Sequence, residues 1–368
     1  MALVFRSFFD RSVTWVSEVR GTLERHENPA DRVQDFIRLP GKRLLAVALL
    51  FILGFRLTAY AVHADLGTDF DLLYYAAVHL LAGENPYPIV SQWSSFPLFY
   101  PLPAVLVAVP FTVLPVAVAR PAFDIVIGWL LAYALWRYRG TYALLALLSG
   151  AYLLAAKLSQ TPPLLTAGAL IPALGFVLAV KPNMGVALFA SRPTKPALIG
   201  LVVISLFSLA VLPSWPVDWW SALQQRNAHL VSPVARPFGW LLLLAALRWR
   251  TTEGRLLVAL SLVPQNSLPY ELVPLALIPR NGVQMGVFVV GSWLAVSALG
   301  NNLDEPDLAA ITAEIWPVML GAVYLPMLYF VLRRPRSEHA PGAGGVTDVQ
   351  VRHARDSSAV SHIDRELR

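Results

Sequence analysis

Long apolar runs recur through this chain from Leu44 to Leu332, and several approach the ~20 residues that a helix needs to cross a bilayer. In lipid every backbone N–H and C=O must find a partner within its own segment or in a closed barrel. The alternating apolar and polar pattern of barrel strands is absent. The fold class expected is therefore all-α: a polytopic integral membrane protein of about nine or ten transmembrane helices. Composition agrees, with 56% hydrophobic and 14% charged residues, against about 25% charged in a soluble domain.

The formal charge is +6. In a soluble protein that balance suggests nucleic acid. Here the basic residues sit at the ends of apolar runs, so a cytoplasmic excess of Lys and Arg explains them and no nucleic-acid partner is expected. Cysteine is absent, which removes a disulfide framework, a thiolate metal site and a cysteine nucleophile. No phosphate-binding loop, HExxH or GxSxG motif is present, which removes the chemistries those motifs carry and leaves acid–base work by carboxylates, with no cofactor expected.

Three domains follow. Residues 1–40 form a cytoplasmic juxtamembrane region. Val4, Phe5, Phe8, Phe9 and Trp15 alternate there with Arg6, Arg11 and Arg20, the spacing of an amphipathic helix that lies on the membrane or packs on the protein's own loops. Residues 41–334 form the membrane domain. Residues 335–368 are polar without apolar periodicity and read as a disordered cytoplasmic tail.

Within the membrane domain the first span runs from Leu44 to Val62, preceded by Lys42 and Arg43, which puts the N-terminus inside. Further spans are expected at Val116–Trp136, Tyr142–Ala156, Pro163–Val180, Ala197–Leu212, Phe238–Leu247, Leu256–Val263, Glu271–Ile278, Val283–Leu299 and Ile311–Leu332. Pro97–Pro115 is short and proline-rich, and either re-enters or crosses. If it does not cross, Arg137/Arg139, Lys181/Arg192/Lys195, Arg248/Arg250/Arg255, Arg280 and Arg333/Arg334/Arg336 all fall inside. The loops at 63–98, 158–162, 213–237, 264–271 and 300–310 then fall outside, and both termini are cytoplasmic.

The first outer loop holds Asp65, Asp69 and Asp71 within ADLGTDFDLLYY. Acidic residues gathered at one membrane surface call for a function. Asp69 opens an expected surface helix, Asp69–Leu81, and is either a general base or, with Thr68, a helix cap. Gly83-Glu84-Asn85-Pro86 ends that helix. Cations at the same surface are Lys157, beside Ser159-Gln160-Thr161, and Arg226, His229 and Arg236 in the second outer loop. Lys157 either meets an anionic substrate or snorkels to the headgroups. Arg120 and Asp124, four apart, have the spacing of a structural pair. Glu271, at a helix break, either polarises a hydroxyl or caps a half-helix. Tyr74, Tyr75, Tyr87 and Tyr100 either stack on a substrate or anchor the interface.

Asp69-Phe70, Tyr74-Tyr75, GENPY at Gly83–Tyr87 and YPLP at Tyr100–Pro103 together resemble the opening of the GT-C glycosyltransferases of the GT87 (DUF2029) type. These are polyprenyl-phosphate-sugar-dependent mannosyltransferases and relatives. SQTPPLL at Ser159–Leu165, VLAVKP at Val177–Pro182 and SLPYELVPLALIP at Ser267–Pro279 are similar to later stretches of that family, in the same order. The chain departs from the family pattern at Ser159, at Pro162, at Tyr100-Pro101-Leu102 and at Tyr270-Glu271.

The resemblance implies a GT-C-like bundle with its active site on the extracytoplasmic side. Its partners would be a polyprenyl-phosphate sugar donor and a lipid or glycan acceptor, with membrane lipids around it. It implies that Asp69 deprotonates the acceptor, which attacks the anomeric carbon with inversion. It also implies substrate contacts from Asp71, Tyr75, Tyr87, Tyr100, Lys157, Gln160, Arg226, His229, Arg236 and Glu271. The alternatives are a lipid or small-molecule transporter or flippase, and a catalytically decayed membrane scaffold of the same fold. The transporter reading calls for charges near mid-membrane, whereas the charged residues of this sequence lie mostly at segment ends.

Overall fold

The computed structural model describes residues 40–62, 68–93, 97–224, 230–266, 268–300 and 308–334. The expected amphipathic helix, the C-terminal tail, Asp65, Arg226 and His229 lie outside the described residues.

Among the described residues the chain is helical and forms no β-strand. The α-helices are α1 (Pro40–Val62), α2 (Asp69–Leu81), α3 (Pro86–Trp93), α4 (Leu102–Ala108), α5 (Val116–Arg139), α6 (Gly150–Lys157), α7 (Pro162–Leu170) and α8 (Pro182–Ser191). They continue with α9 (Lys195–Val211), α10 (Trp215–Gln224), α11 (Thr252–Leu262), α12 (Gly282–Leu299), α13 (Leu308–Met319) and α14 (Leu325–Leu332), the last two joined through a π-helical turn at Leu320–Tyr324. Three stretches are long and apolar enough to cross a membrane unaided: Val116–Arg139, Gly282–Leu299 and Ala309–Leu332. The pair α9 and α10, bent by 95°, makes a fourth if it is one span. A polytopic all-α protein at a membrane is thus supported.

Several expected spans are built differently. Thr141–Leu148, Pro172–Val180, Gly239–Arg248 and Pro269–Leu277 are 3₁₀-helices of 8, 9, 10 and 9 residues, where runs beyond 3–4 are uncommon. Each rises about 2.0 Å per residue, against about 1.5 Å in an α-helix. A nine-residue run therefore covers about 18 Å, over half of a ~30 Å hydrocarbon core.

Polar contacts sort the helix ends into two groups. At one end Arg139 and Tyr142 both donate to the Pro279 carbonyl, Arg248 to Leu332, Arg255 to Ser191 and Arg334 to Ile278. At the other end the start of α2 meets α5 and the 158–161 loop, and the start of α10 meets Asn85 and Phe99. The 24-residue α5 joins the two ends, about 36 Å apart along its axis. The start of α1, where Gly41 lies against Trp136 and Thr141, and Arg334 belong to this arginine end.

The stretch Leu102–Phe111 stays at the aspartate end. Tyr100, just before it, bonds Asp69, and Phe111 packs edge-on to Phe70 at 5.9 Å. Both ends therefore touch the first turn of α2.

The expected single span Pro163–Val180 is corrected. The helix breaks at Ile171, extended at φ −105° and followed by Pro172, and the chain folds back. Gly168 lies against Val177, and Gly185 against the Leu178 carbonyl, so closely that a Cβ at either would collide. A descending α7 and a rising 3₁₀ run thus replace the one expected helix, and α8 descends where a loop was expected. Lys181, at the apex between the last two, lies about 15 Å from the arginine end, the length of the ten-residue α8. α11 and Pro269–Leu277 make a second hairpin of similar height, tied to the first where Asn183 donates to the Pro264 carbonyl at 2.5 Å.

Candidate active site

The two hairpins and the α2 surface helix bring one set of polar side chains together. Asp69 is the first residue of α2, and Thr68 is its cap residue in extended conformation. The capping is done by Asp71, whose Oδ2 accepts the Thr68 amide at 2.8 Å. Asp71 is also gripped by Arg120, Nε to Oδ1 at 2.9 Å and Nη2 to Oδ2 at 2.7 Å. That fork fastens α2 to α5, and it leaves Asp69 free of the capping duty the sequence allowed it.

The Asp69 carboxylate points instead to two other segments. Its Oδ2 accepts the Tyr100 hydroxyl at 2.8 Å and Gln160 Nε2 at 2.7 Å. No hydrogen bond to Oδ1 is made among the described residues. Burial holds the Tyr100 hydroxyl well above its usual value, and the negative charges of Asp69 and Glu271 push the same way. It therefore remains a donor, and the two donors fix the carboxylate's direction.

Below this group lies a buried ion pair. Lys181 Nζ meets Glu271 Oε1 at 2.5 Å, with side-chain exposures of 14% and 1%. Lys181 also lies over the Tyr270 ring at 5.4 Å. The expectation that Lys181 sits in a cytoplasmic loop is corrected: a residue in contact with Glu271 cannot lie on the opposite side of the membrane from it. The physical reason is the Ile171 reversal, which returns the chain halfway toward the aspartate end. The expectation that charges avoid mid-depth is corrected with it.

At α5 the fork of Arg120 goes to another helix, although its charge also acts on Asp124. Arg120 bonds Asp71, while Asp124 is buried against Arg56 of α1 and accepts Ser159 Oγ at 2.8 Å. Arg56 also donates to the Ala156 carbonyl at 2.5 Å. Arg56 and Asp124 thus hold the end of α6, and Ser159, in the left-handed region at φ 51°, turns the chain so that the next residue, Gln160, reaches Asp69.

Of the expected site residues, Asp69, Tyr100, Gln160 and Glu271 converge. Tyr87 is buried and donates to the Tyr100 carbonyl at 3.2 Å, behind the site. Arg236 bonds Thr312 at 3.0 Å and lies over the Trp316 ring at 5.9 Å; its charge and that of Glu271 both reach the Tyr324 hydroxyl. Lys157 is exposed at the end of α6, and Tyr75 is exposed on the far face of α2. Sequence reasoning missed Arg56 and Tyr324, and it did not count Lys181 or Tyr270 among the site residues. The lysine–proline pair in VLAVKP was a usable signal for Lys181; a lone arginine inside the first apolar run was one for Arg56.

Gln160 Oε1 and Glu271 Oε2 are both buried without a hydrogen-bond partner among the described residues, and so is the Thr161 hydroxyl. Among those residues no group of three or more His, Asp or Glu has the arrangement of a metal site. The site offers an oriented carboxylate, hydroxyl and amide groups, and a cation at greater depth. Compared with protein-family models, with curated proteins and with solved structures, the chain shows no match.

Proposed function

We propose that the chain is a membrane glycosyltransferase of GT-C type that moves a sugar from a polyprenyl phosphate to a lipid or glycan acceptor. The observation that carries this reading is the Asp69 carboxylate, oriented by Tyr100 and Gln160 from two other segments with Oδ1 left for an incoming group. In this reading Oδ1 takes the proton of an acceptor hydroxyl. The hydroxyl oxygen bonds to the anomeric carbon from the face opposite the phosphate, and the carbon–oxygen bond to the phosphate breaks. The donor leaves as a polyprenyl phosphate, and inversion follows from attack on the opposite face. Lys181, with Arg236 further along the same wall, replaces Lys157 as the cation for the leaving phosphate. On donor binding Lys181 exchanges Glu271 for phosphate oxygen, and Glu271 Oε2 becomes an acceptor for a sugar or acceptor hydroxyl.

The arginine end is assigned to the cytoplasm by the positive-inside rule, and the site to the extracytoplasmic half. Three stretches, or four with the bent α9–α10 pair, are long and apolar enough to cross unaided; in this reading the shorter helices and the two half-height hairpins complete the membrane domain. Broken helices are tolerated in lipid where protein surrounds them.

The test is sugar transfer by the purified protein from a panel of polyprenyl-phosphate sugars, with a membrane lipid extract as acceptor, comparing wild type with Asp69→Asn. Transfer lost in the variant with its fold intact supports the reading; transfer unchanged removes Asp69 as the base.

One observation favours a second reading. Half-height helices that meet at a charged pair near mid-depth suit a transporter or flippase. Movement of a labelled polyprenyl-phosphate sugar across proteoliposomes, lost in Lys181→Met but kept in Asp69→Asn, would select it.

A further inference from the structure

The arginine end carries a second polar cluster, independent of the Asp69 site and of the reaction proposed there. Glu253, in the first turn of α11, is buried. It pairs directly with Arg334, and its Oε1 lies 3.7 Å from Arg139 and 3.8 Å from Arg280. Arg192, after α8, lies within the electrostatic reach of Glu253, Arg139 and Arg255. Arg139, Arg280 and Arg334 thus share one carboxylate, Arg192 lies within its reach, and Arg255 adds a fifth guanidinium beside Arg192.

One carboxylate satisfies at most one fork of donors well. The Nε atoms of Arg139, Arg192 and Arg255 are buried and have no hydrogen-bond partner among the described residues. Buried guanidinium charge without an anion is costly. Burial pushes Arg192 below its usual value, and the like charges of Arg139 and Arg255 add to the push, with Glu253 opposing them. The cluster opens outward at Arg280, whose side chain is 40% exposed. A basic cluster between helix ends at a membrane surface has the chemistry of a headgroup-phosphate site.

We propose that Arg139, Arg192, Arg255 and Arg280 form a binding site for a phosphate group at the arginine end. Arginine forks match tetrahedral phosphate oxygens in pairs. A bound phosphate would satisfy the open Nε donors and join α5, α8, α11 and the start of α12. The phosphate comes either from an anionic phospholipid headgroup or from a soluble phosphate.

The experiment uses the purified full-length chain in neutral detergent. Thermal unfolding is followed while inorganic phosphate, short-chain phosphatidylglycerol or short-chain phosphatidylcholine is added. Arg192→Gln removes a cluster charge whose side chain makes no protein hydrogen bond among the described residues; Arg137→Gln, which removes an exposed cation lying over the Tyr138 ring, is the control. The expected result is stabilisation by phosphatidylglycerol, by inorganic phosphate or by both, with the apparent affinity at least ~10-fold weaker in Arg192→Gln. Loss of one such contact has about that effect. Stabilisation by phosphatidylglycerol alone identifies a lipid headgroup, and by inorganic phosphate alone a soluble anion. The ligand-free variant should be as stable as wild type, since like-charge repulsion is relieved. No stabilisation by either anion, or equal stabilisation in wild type and Arg192→Gln, overturns the proposal, as does a ligand-free Arg192→Gln that is itself strongly destabilised.

Discussion

The Lys181–Glu271 pair gives the sharpest prediction, because its two partners are unequally buried. Lys181→Met leaves the Glu271 carboxylate at 1% exposure with neither oxygen paired. Removing one partner of such a pair costs about 3–5 kcal/mol. Glu271→Gln leaves Lys181 with 14% exposure and the Tyr270 ring at 5.4 Å. A cation over a ring is worth up to ~2 kcal/mol when desolvated, and the glutamine oxygen still accepts one hydrogen bond. The cost should therefore be smaller, about 1–3 kcal/mol. The double variant Lys181→Met/Glu271→Leu removes both charges and keeps the volume, and should lie within ~1 kcal/mol of wild type or above it.

The assay is reversible unfolding in mixed micelles, with Glu271→Leu added as the matching single variant so that four proteins close a double-mutant cycle; the double variant should be more stable than the summed single costs by at least ~3 kcal/mol. Additive single costs, or a Lys181→Met protein no less stable than Glu271→Gln, would refute the contact and with it the hairpin that brings Lys181 to mid-depth. Sugar transfer gives a second reading of the same variants. If Lys181 receives the leaving phosphate, the double variant recovers stability and not activity.

Asp69→Asn should lower sugar transfer by ~10²–10⁴, the usual contribution of a general base, while costing under ~1 kcal/mol of stability for the lost helix-end charge. Tyr100→Phe should reduce transfer less, by about 10-fold, because Gln160 still orients the carboxylate. Gly185→Leu should destabilise by at least ~1–3 kcal/mol, since the added side chain meets the Leu178 backbone; a stable variant would argue against the α8 packing. The chain has no cysteine, so single cysteines report sidedness without background. An impermeant thiol reagent applied to intact cells should label Lys157→Cys and leave Arg137→Cys untouched until the membrane is opened. The reverse pattern would invert the assignment.

The surface helix Asp69–Leu81 was legible to the residue, because the signals are local: a threonine cap, an acidic first turn and a Gly-Glu-Asn-Pro stop. The failure of Leu102–Phe111 to cross was legible as one of two options, from its length and prolines. The Ile171 reversal was not. Pro163–Val180 reads as a span because hydropathy counts apolar residues and not direction. What reverses the chain is a pair of close approaches, Gly168 on Val177 and Gly185 on Leu178, and each depends on residues several positions away. The same limit explains Arg120. A four-residue spacing to Asp124 is a local pattern, but Asp71 offers it a two-bond fork from another helix. Asp124 is in turn taken by Arg56 across the bundle.

These placements share one cause. A charge inside an apolar bundle persists only with its partner, so each buried ion fixes two elements relative to one another. Arg56–Asp124 joins α1 to α5, Asp71–Arg120 joins α2 to α5, and Lys181–Glu271 joins the two half-height hairpins. The first two support, through Ser159 and the α2 cap, the residues that orient Asp69; the third lies deeper, where burial and a single carboxylate hold the lysine. A continuous helix through Pro163–Val180 would carry Lys181 to the arginine end, among cations and away from Glu271. The hairpin instead leaves it about 15 Å short of that end, on the side of the bundle that Asp69 occupies. The break at Ile171 and Pro172 is therefore what converts a membrane-anchoring lysine into a site lysine. A variant that restores the straight helix, with Pro172 and the following 3₁₀ run replaced by alanine and leucine, should lose sugar transfer even if the protein still folds.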